Sequence, residues 1–372
     1  MRRRTAFIRL LLMPFALIYR LATDIRNMLF DMNILPSESF PVPVICIGNI
    51  SAGGTGKTPF TEYLIRLLGK QYRVAVLSRG YKRETKGFVL AKENSTAKDI
   101  GDESRQIKHK FPDITVAADT NRRRGIRCLL ALPANERPNV ILLDDAMQHR
   151  FVLPSLTIML TDYNSLYYND YPLPAGYLRE SVRAVYRADI VVVTKCRKDI
   201  KPIELRLIEK NMSLMANQHL YFSGITYHEI EPLFPSKNLK SSFLSEINKN
   251  ENILLITAIA NPQPLIDLLK THFNNIYSCE FPDHHSFNQS DIQYMNDKFR
   301  AMTPASRRII CTEKDAARLK SIDFLPVEWE SCLYYLPISV TFMFEHEDNF
   351  DTKILKHVIS TINMQQKNNA KN

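Results

Sequence analysis

Glycine is scarce in this chain. There are 11 in 372 residues, about 3% against a usual ~7%, and none follows Gly224. Yet Gly48, Gly53, Gly54 and Gly56 fall within nine residues, so special backbone geometry is required there. Close cysteine pairs are also lacking. Cys46, Cys128, Cys196, Cys279, Cys311 and Cys332 are all widely spaced, which excludes a CxxC metal or redox pair. Cys46 and Cys311 lie in apolar runs and read as buried, reduced thiols of a cytosolic protein. There is no long apolar run. The uncharged stretch from Leu10 to Tyr19 is bounded by Arg9 and Arg20, too short for the roughly 20 residues of a spanning helix. No A-x-A cleavage site follows it, which argues against a signal peptide. No internal repeat is visible.

What is present is an ordinary globular composition, 45% hydrophobic and 24% charged. That excludes a disordered chain, and the length suggests two domains. The net charge is +10, which points to an anionic partner: nucleic acid, a phosphorylated substrate or a membrane surface.

At about 100° per residue, Arg2, Arg9, Arg20 and Asp24 share a narrow arc of an N-terminal helix. Ile8, Leu11, Leu12, Phe15 and Ile18 lie away from it. Pro14 is expected to kink or divide this helix. A basic stripe beside a broad apolar face describes a helix lying in a membrane interface. The rival is a helix packed on the protein's own core with arginines outward.

From about residue 42, apolar runs alternate with amphipathic stretches. Strands are expected at 42–47, 74–77, 114–117, 140–143, 156–160 and 190–193, with helices at 59–68, 103–110, 122–132 and 177–186. This predicts a mostly parallel sheet flanked by helices. A second set follows, with strands at 252–258, 276–281, 308–311 and 333–338 and helices at 264–272, 291–302 and 353–362. The expected division is a helix over 1–33, an α/β domain over 34–225, a smaller α/β domain over 226–364 and a frayed tail over 365–372.

The run PVPVICIGN leads through ISAGGTGKTPF into TEYLIRLL: strand, glycine-rich loop, helix. Ser51, Ala52, Gly53, Gly54, Thr55 and Gly56 would turn backbone N–H groups onto phosphate oxygens, helped by the dipole of the following helix. Lys57 would reach the β- and γ-phosphates, and the Thr58 hydroxyl would bind Mg²⁺. Ser51 stands where the strict pattern has its first glycine. The bland alternative is a solvated turn. Ala52 occupies the first-lysine position of the partitioning-type switch ATPases, which weakens that reading.

Asp144 and Asp145 end an apolar run, where α/β sheets bind ligands, and fit a Mg²⁺ site beside the loop; the alternative is loop capping. Asp102, in GDES, reads first as a helix N-cap and otherwise as a base. Asp283, His284 and His285 follow a later strand without the further ligands that zinc requires. Arg122, Arg123, Arg124 and Arg127 cluster, and Arg179, Arg183 and Arg187 recur every four residues on one expected face. Solvated faces are the default for both, phosphate or sugar contact the sharper option. The Tyr- and Pro-rich stretch 163–177 has the composition of a lid or substrate loop.

With VPVICIGNISAGGTGKTP, LSRGYKR, GDES, NVILLDDAMQH, LPAGYLRES, ADIVVVTK, TAIANPQP, FPDHHSF and CTEKDAARL in order, the chain resembles the tetraacyldisaccharide 4′-kinase family, the lipid A kinases of Gram-negative bacteria. It departs where the family usually shows GDEP, D-D-G and T-G-I-A-N-P: here Ser104, Ala146 and Ala258 stand.

The resemblance implies a P-loop kinase of two α/β domains. It would use ATP and Mg²⁺ to phosphorylate the 4′-hydroxyl of a tetraacylated disaccharide 1-phosphate, giving lipid IVA. It implies peripheral attachment to the cytoplasmic face of the inner membrane, with no nucleic acid and no obligate protein partner. It also implies that Asp102 accepts the hydroxyl proton and that His284, backed by Asp283, orients it. Glu103 would join the outer metal shell, and Arg122, Arg179 and Glu180 would contact substrate or nucleotide. A membrane-associated switch ATPase and, on charge alone, a nucleic-acid-dependent ATPase remain alternatives.

Overall fold

The structure, a computed structural model, describes residues 6–235, 239–283, 285–303, 307–344 and 346–369. It opens with α1 (Ala6–Asp31), a 26-residue helix with Pro14 inside it. Of the two expected outcomes, division does not occur: the helix runs on through Pro14, since a single proline removes only one intrahelical bond. The chain continues through β1 (Val44–Gly48), α2 (Lys57–Leu68), β2 (Val74–Ser78), β3 (Val89–Leu90), α3 (Ala97–Ile100), α4 (Asp102–Lys110), β4 (Thr115–Ala118) and α5 (Arg122–Leu130). Next come β5 (Val140–Asp144), β6 (Leu156–Asp162), β7 (Ile190–Thr194), α6 (Pro202–Met212) and β8 (His219–Tyr227).

A smaller set follows: β9 (Glu231–Pro232), β10 (Asn252–Thr257), α7 (Gln263–His272), β11 (Asn275–Glu280), α8 (Gln289–Ala301), β12 (Arg307–Thr312), α9 (Glu313–Leu319) and β13 (Leu333–Leu336). The chain closes with β14 (Ile338–Phe342) and α10 (His346–Asn369).

The described residues form two compact units: 6–225 with 340–369, and those within 226–339. Residues 340–364, which the pattern assigned to the C-terminal domain, therefore cluster with the larger unit. α10 also runs on to Asn369 where a frayed tail was expected. The reason for both is packing: Phe350, Ile354 and Val358, one per turn, are fully buried in the core of the larger unit.

In the larger unit the strand order is β14-β8-β7-β6-β1-β5-β2-β4-β3. The pairings of β1, β2, β4, β5, β6, β7 and β8 are parallel, with β3 antiparallel at the edge. The five residues of β1, β2, β5 and β7 are buried throughout, as expected of strands covered by helices on both faces. One core layer joins Leu77, Ile126, Leu143 and Val191; the other joins Phe60, Leu64, Val76 and Leu142. The smaller unit carries a sheet in the order β11-β10-β12-β13-β9.

The site is set by the neighbours of β1. It pairs with β5 on one side and β6 on the other, so its C-terminal end opens at a crevice where strand order reverses. The register Ile47↔Asp144 brings the loop after β1 beside the acidic end of β5.

The expected helix over 177–186 does not form. Leu178 bridges Ser51 and Pro172 in extended conformation, and only Val182–Arg187 winds, as a 3₁₀ turn. Pairing with the phosphate loop overrides the helical pattern, so Arg179, Arg183 and Arg187 do not share one α-helical face. The stretch 163–177 is packed in part: Tyr167 is buried, and Gly176 sits so close to Tyr171 that a Cβ would meet its carbonyl at 2.2 Å.

Candidate active site

The loop from Ser51 to Thr58 is braced on three sides. Ser51 pairs with Leu178, and the Ala52 N–H donates to the Tyr177 carbonyl at 2.6 Å. Extended pairing needs no glycine, which accounts for serine at that position. Thr194 Oγ1, at the end of β7, donates to the Thr55 carbonyl at 2.8 Å. Asn49 Nδ2, buried, donates to Thr55 Oγ1 at 2.8 Å. Lys195 donates to the Gly54 carbonyl and pairs with Asp162 at 2.8 Å. Gly56 caps α2 with φ 82, a left-handed conformation that strains any other residue. Lys57 and Thr58 then open the helix, as expected.

Lys57 Nζ lies 3.5 Å from Asp145 Oδ1. Arg179 Nη1 reaches the same carboxylate at 3.0 and 3.1 Å. Burial pushes Asp145 up, but Lys57 and Arg179 together hold it below the usual carboxylate range. Asp144 behaves oppositely. Burial first, and then the charge of Asp145, raise it to about 7. Its Oδ1 accepts from Thr61 of α2 at 3.4 Å. Asp145 itself takes the left-handed conformation, φ 48, while neither Ala146 nor Ala258 has positive φ. Alanine in place of the family's glycine is therefore unstrained at both positions.

Arg122, the first residue of α5, is 2% exposed. It donates to the Asp119 and Asp144 carbonyls at 2.8 and 3.3 Å, and burial lowers it to about 10. The other arginines of its cluster face elsewhere: Arg124 grips Asp119, Arg127 grips Glu38, and Arg123 covers Phe151. Glu180 is buried and accepts from Asn27 of α1 and Arg187, each at 2.8 Å.

Asp102 is the first residue of α4, and Gly101 (φ 87) is its N-cap, with no side-chain cap bond. The capping reading of Asp102 thus gives way to a carboxylate at a helix N-terminus. Glu103 follows it, and its charge is one cause of the upward shift at Asp144. Ser104, proline in the family pattern, is buried and hydrogen-bonded to Ser78 at the end of β2.

In the smaller unit, Asp283 lies 3.5 Å from Lys314 Nζ. His285 stacks on Phe281 and bonds Asp291 at 2.8 Å. His284 lies outside the described residues.

Among the described residues no three His, Cys, Asp or Glu side chains converge as a metal site, and Glu103 bears on the two aspartates through its charge at Asp144. Asp144, Asp145 and Thr58 still suit Mg²⁺, which takes one or two carboxylates and completes its shell with phosphate and water oxygens. A cation there would relieve the ionisation cost of buried Asp144.

Sequence reasoning missed Asn49, Asp162, Thr194 and Lys195. Their only signal was a polar residue at a strand end.

α1 presents its polar side to this region. Tyr19 Oη donates to the Arg179 carbonyl at 2.9 Å, and Arg26 to the Gln148 carbonyl at 3.0 Å. Arg150 pairs with Asp31 at 2.6 Å, and Arg9 lies over Tyr171 at 4.8 Å. Phe7, Leu10, Leu11, Phe15, Ile18 and Leu21 point outward, each at least 61% exposed. The rival packing, apolar side in and arginines out, fails for Arg9 and Arg26, which face the protein, although Arg20 is exposed and Ala16 and Phe30 are buried. Leu12, expected among the outward apolar residues, is half-buried instead.

A family model for Tetraacyldisaccharide-1-P 4'-kinase matches residues 8–359. The chain is 51% identical over 352 residues to a Tetraacyldisaccharide 4'-kinase of Parabacteroides distasonis, covering 95% of each. It is 48% identical to one of Bacteroides thetaiotaomicron, over 93% of this chain and 92% of that one. Among solved structures it is similar to LpxK from Aquifex aeolicus in complex with ATP, at TM-score 0.72 and 26% identity, over 94% of this chain and 99% of that one.

Proposed function

The chain belongs to the Tetraacyldisaccharide-1-P 4'-kinase family, and on that premise we propose that it transfers the γ-phosphate of ATP to the 4′-hydroxyl of a tetraacyldisaccharide 1-phosphate, forming lipid IVA in lipid A biosynthesis. The observation that carries this reading is the meeting of the braced loop with the acidic strand end, Lys57 beside Asp145.

The loop N–H groups and Lys57 hold the β- and γ-phosphates. Mg²⁺, when bound, neutralises charge on the phosphate oxygens. Thr58, Asp144 and Asp145 would hold it, with Glu103 in the outer shell. On nucleotide binding Lys57 exchanges Asp145 for phosphate, and Arg179 remains to neutralise that carboxylate. The acceptor oxygen bonds to the γ-phosphorus, the bond to the bridging oxygen breaks, and ADP leaves. Asp102 takes the hydroxyl proton, a contribution of about 10²- to 10⁴-fold. Arg122, buried under the acidic strand end, supports the charge there.

The membrane reading rests on α1. By length and composition the helix could cross a bilayer. But its polar side is bonded to the globular unit from Tyr19 to Asp31. That favours a helix lying in the interface, apolar side in lipid. ATP as donor puts the site on the cytoplasmic face of the inner membrane, where an amphiphilic acceptor also lies.

Radiolabelled ATP tests the reaction. Label should pass to the lipid, and Lys57→Ala should abolish transfer in a folded protein. Release as free phosphate alone would indicate a switch ATPase instead.

A further inference from the structure

Two helices carry the proposed chemistry of the larger unit. α2 opens with Lys57 and Thr58, and α4 opens with Asp102. One side chain joins them. Glu62 of α2 is 1% exposed. Its Oε1 accepts from Gln106 Nε2 at 3.0 Å, and its Oε2 lies 2.7 Å from Lys110 Nζ and 3.4 Å from Arg66. Gln106 and Lys110 stand four and eight residues after Asp102, on one face of α4. Glu62 stands four residues after Thr58, on the face of α2 that carries this metal ligand. Arg66 also covers Phe111, the residue that ends α4, at 5.3 Å.

A buried carboxylate is costly unless paired and hydrogen-bonded. Three donors converge here on one group, and two of them come from the partner helix. An apolar seam would hold the two helices together but would let one slide along the other. The directional bond from Gln106 and the close ion pair with Lys110 oppose such sliding and so fix the register of α4 against α2.

We infer that Glu62 is a positioning residue that locks α4 to α2, and thereby sets the place of Asp102 relative to the phosphates held by Lys57 and Thr58. The inference rests on the reading of Asp102 as base. A misplacement of about 1 Å at a reacting group can cost about 10²-fold in rate.

Glu62→Gln keeps the volume and an acceptor for Gln106 but removes the charge that holds Lys110 and Arg66. The expected result is a kcat lowered about tenfold, with KM for ATP changed less than about twofold and the melting transition retained. Adding Glu62→Gln to Asp102→Asn should then cost nothing further, because the two act as one unit. A folded Glu62→Gln protein with parental kcat overturns the inference, and so do losses that multiply in the double variant. If Asp102→Asn alone is fully active, the base assignment falls, which is a distinct result. Should Glu62→Gln fail to fold, the pair Glu62→Met with Lys110→Met replaces the ion pair by apolar chains of similar size, a change proteins often tolerate. That variant should show the same loss of kcat; full activity in it overturns the inference.

Discussion

The two terminal helices are nearly equal in length and opposite in orientation. α10 buries Phe350, Ile354 and Val358 in the core, while Thr352, Lys356 and Ser360 are exposed. α1 turns Tyr19, Arg26 and Asn27 toward the protein and leaves Phe7, Leu10, Phe15 and Ile18 outside. Both are amphipathic, so amphipathicity alone does not say which side is buried. What differs is the surface each meets. α10 covers an apolar sheet face, whereas α1 covers a polar rim built of Arg150, Arg179, Glu180 and the Gln148 carbonyl. An apolar side left outward over several turns implies a non-aqueous neighbour.

Truncation should separate the helices most sharply. Phe350 stacks on Phe342 at 4.4 Å and meets Tyr221 and Phe60 edge-on. Phe350→Ala should therefore cost about 3–5 kcal/mol of stability in a denaturant titration. Phe15→Ala on α1 should cost under about 0.5 kcal/mol. Similar losses at both positions would mean that α1 packs on protein after all.

Charge on the outward side of α1 should act on lipid affinity instead. Leu11→Glu with Ile18→Glu should weaken binding to anionic vesicles by roughly 2–4 kcal/mol, about 30- to 1,000-fold, and leave ATP binding unchanged. Undiminished sedimentation with vesicles would show that another surface is the anchor.

The inward side is tested by Asn27→Ala, which removes a donor from buried Glu180. The expected cost is about 1–3 kcal/mol, read as a lower melting temperature with vesicle affinity unchanged.

The smallest effect concerns His149. Burial, then Arg122, Arg123, Arg26 and Arg79, lower it to about 4. Its folded value lies below the ordinary one. The stability this contributes is complete above about pH 6.5 and fades as pH falls toward 4. An NMR titration should give a midpoint near 4, and Arg26→Ala on α1 should move it upward. A midpoint near 6.5 would break the link between α1 and this basic cluster.

The phosphate loop and the acidic strand end were legible because each follows a short apolar run and precedes a recognisable turn or helix. Asp102 was legible as a residue type in a motif, but its position was not. Nothing local shows that Gly101 takes the cap position and leaves Asp102 as the first helical residue. Arg179 and Glu180 were placed on a helix because arginines recur every four residues. A bridge to Ser51 overrides that period, and such a bridge connects positions more than a hundred residues apart. Thr194 and Lys195 were silent for the same reason: each acts on a loop that the chain brings near only when β7 and β1 take their places about β6, whereas Asn49, six residues from Thr55, is local but carries no pattern that marks its role.

The amino-acid sequence by itself determined the alternation of strand and helix, the phosphate loop, the paired aspartates and the two-sided character of α1. Hydrophobic period and glycine placement act over a few residues, within reach of one segment. The tertiary structure alone decided that β5 lies beside β1 with Asp144 level with Ile47, that residues 340–369 return to the larger unit, and that α1 faces inward with its polar side. These outcomes depend on which surfaces distant segments offer one another, and no single segment carries that information.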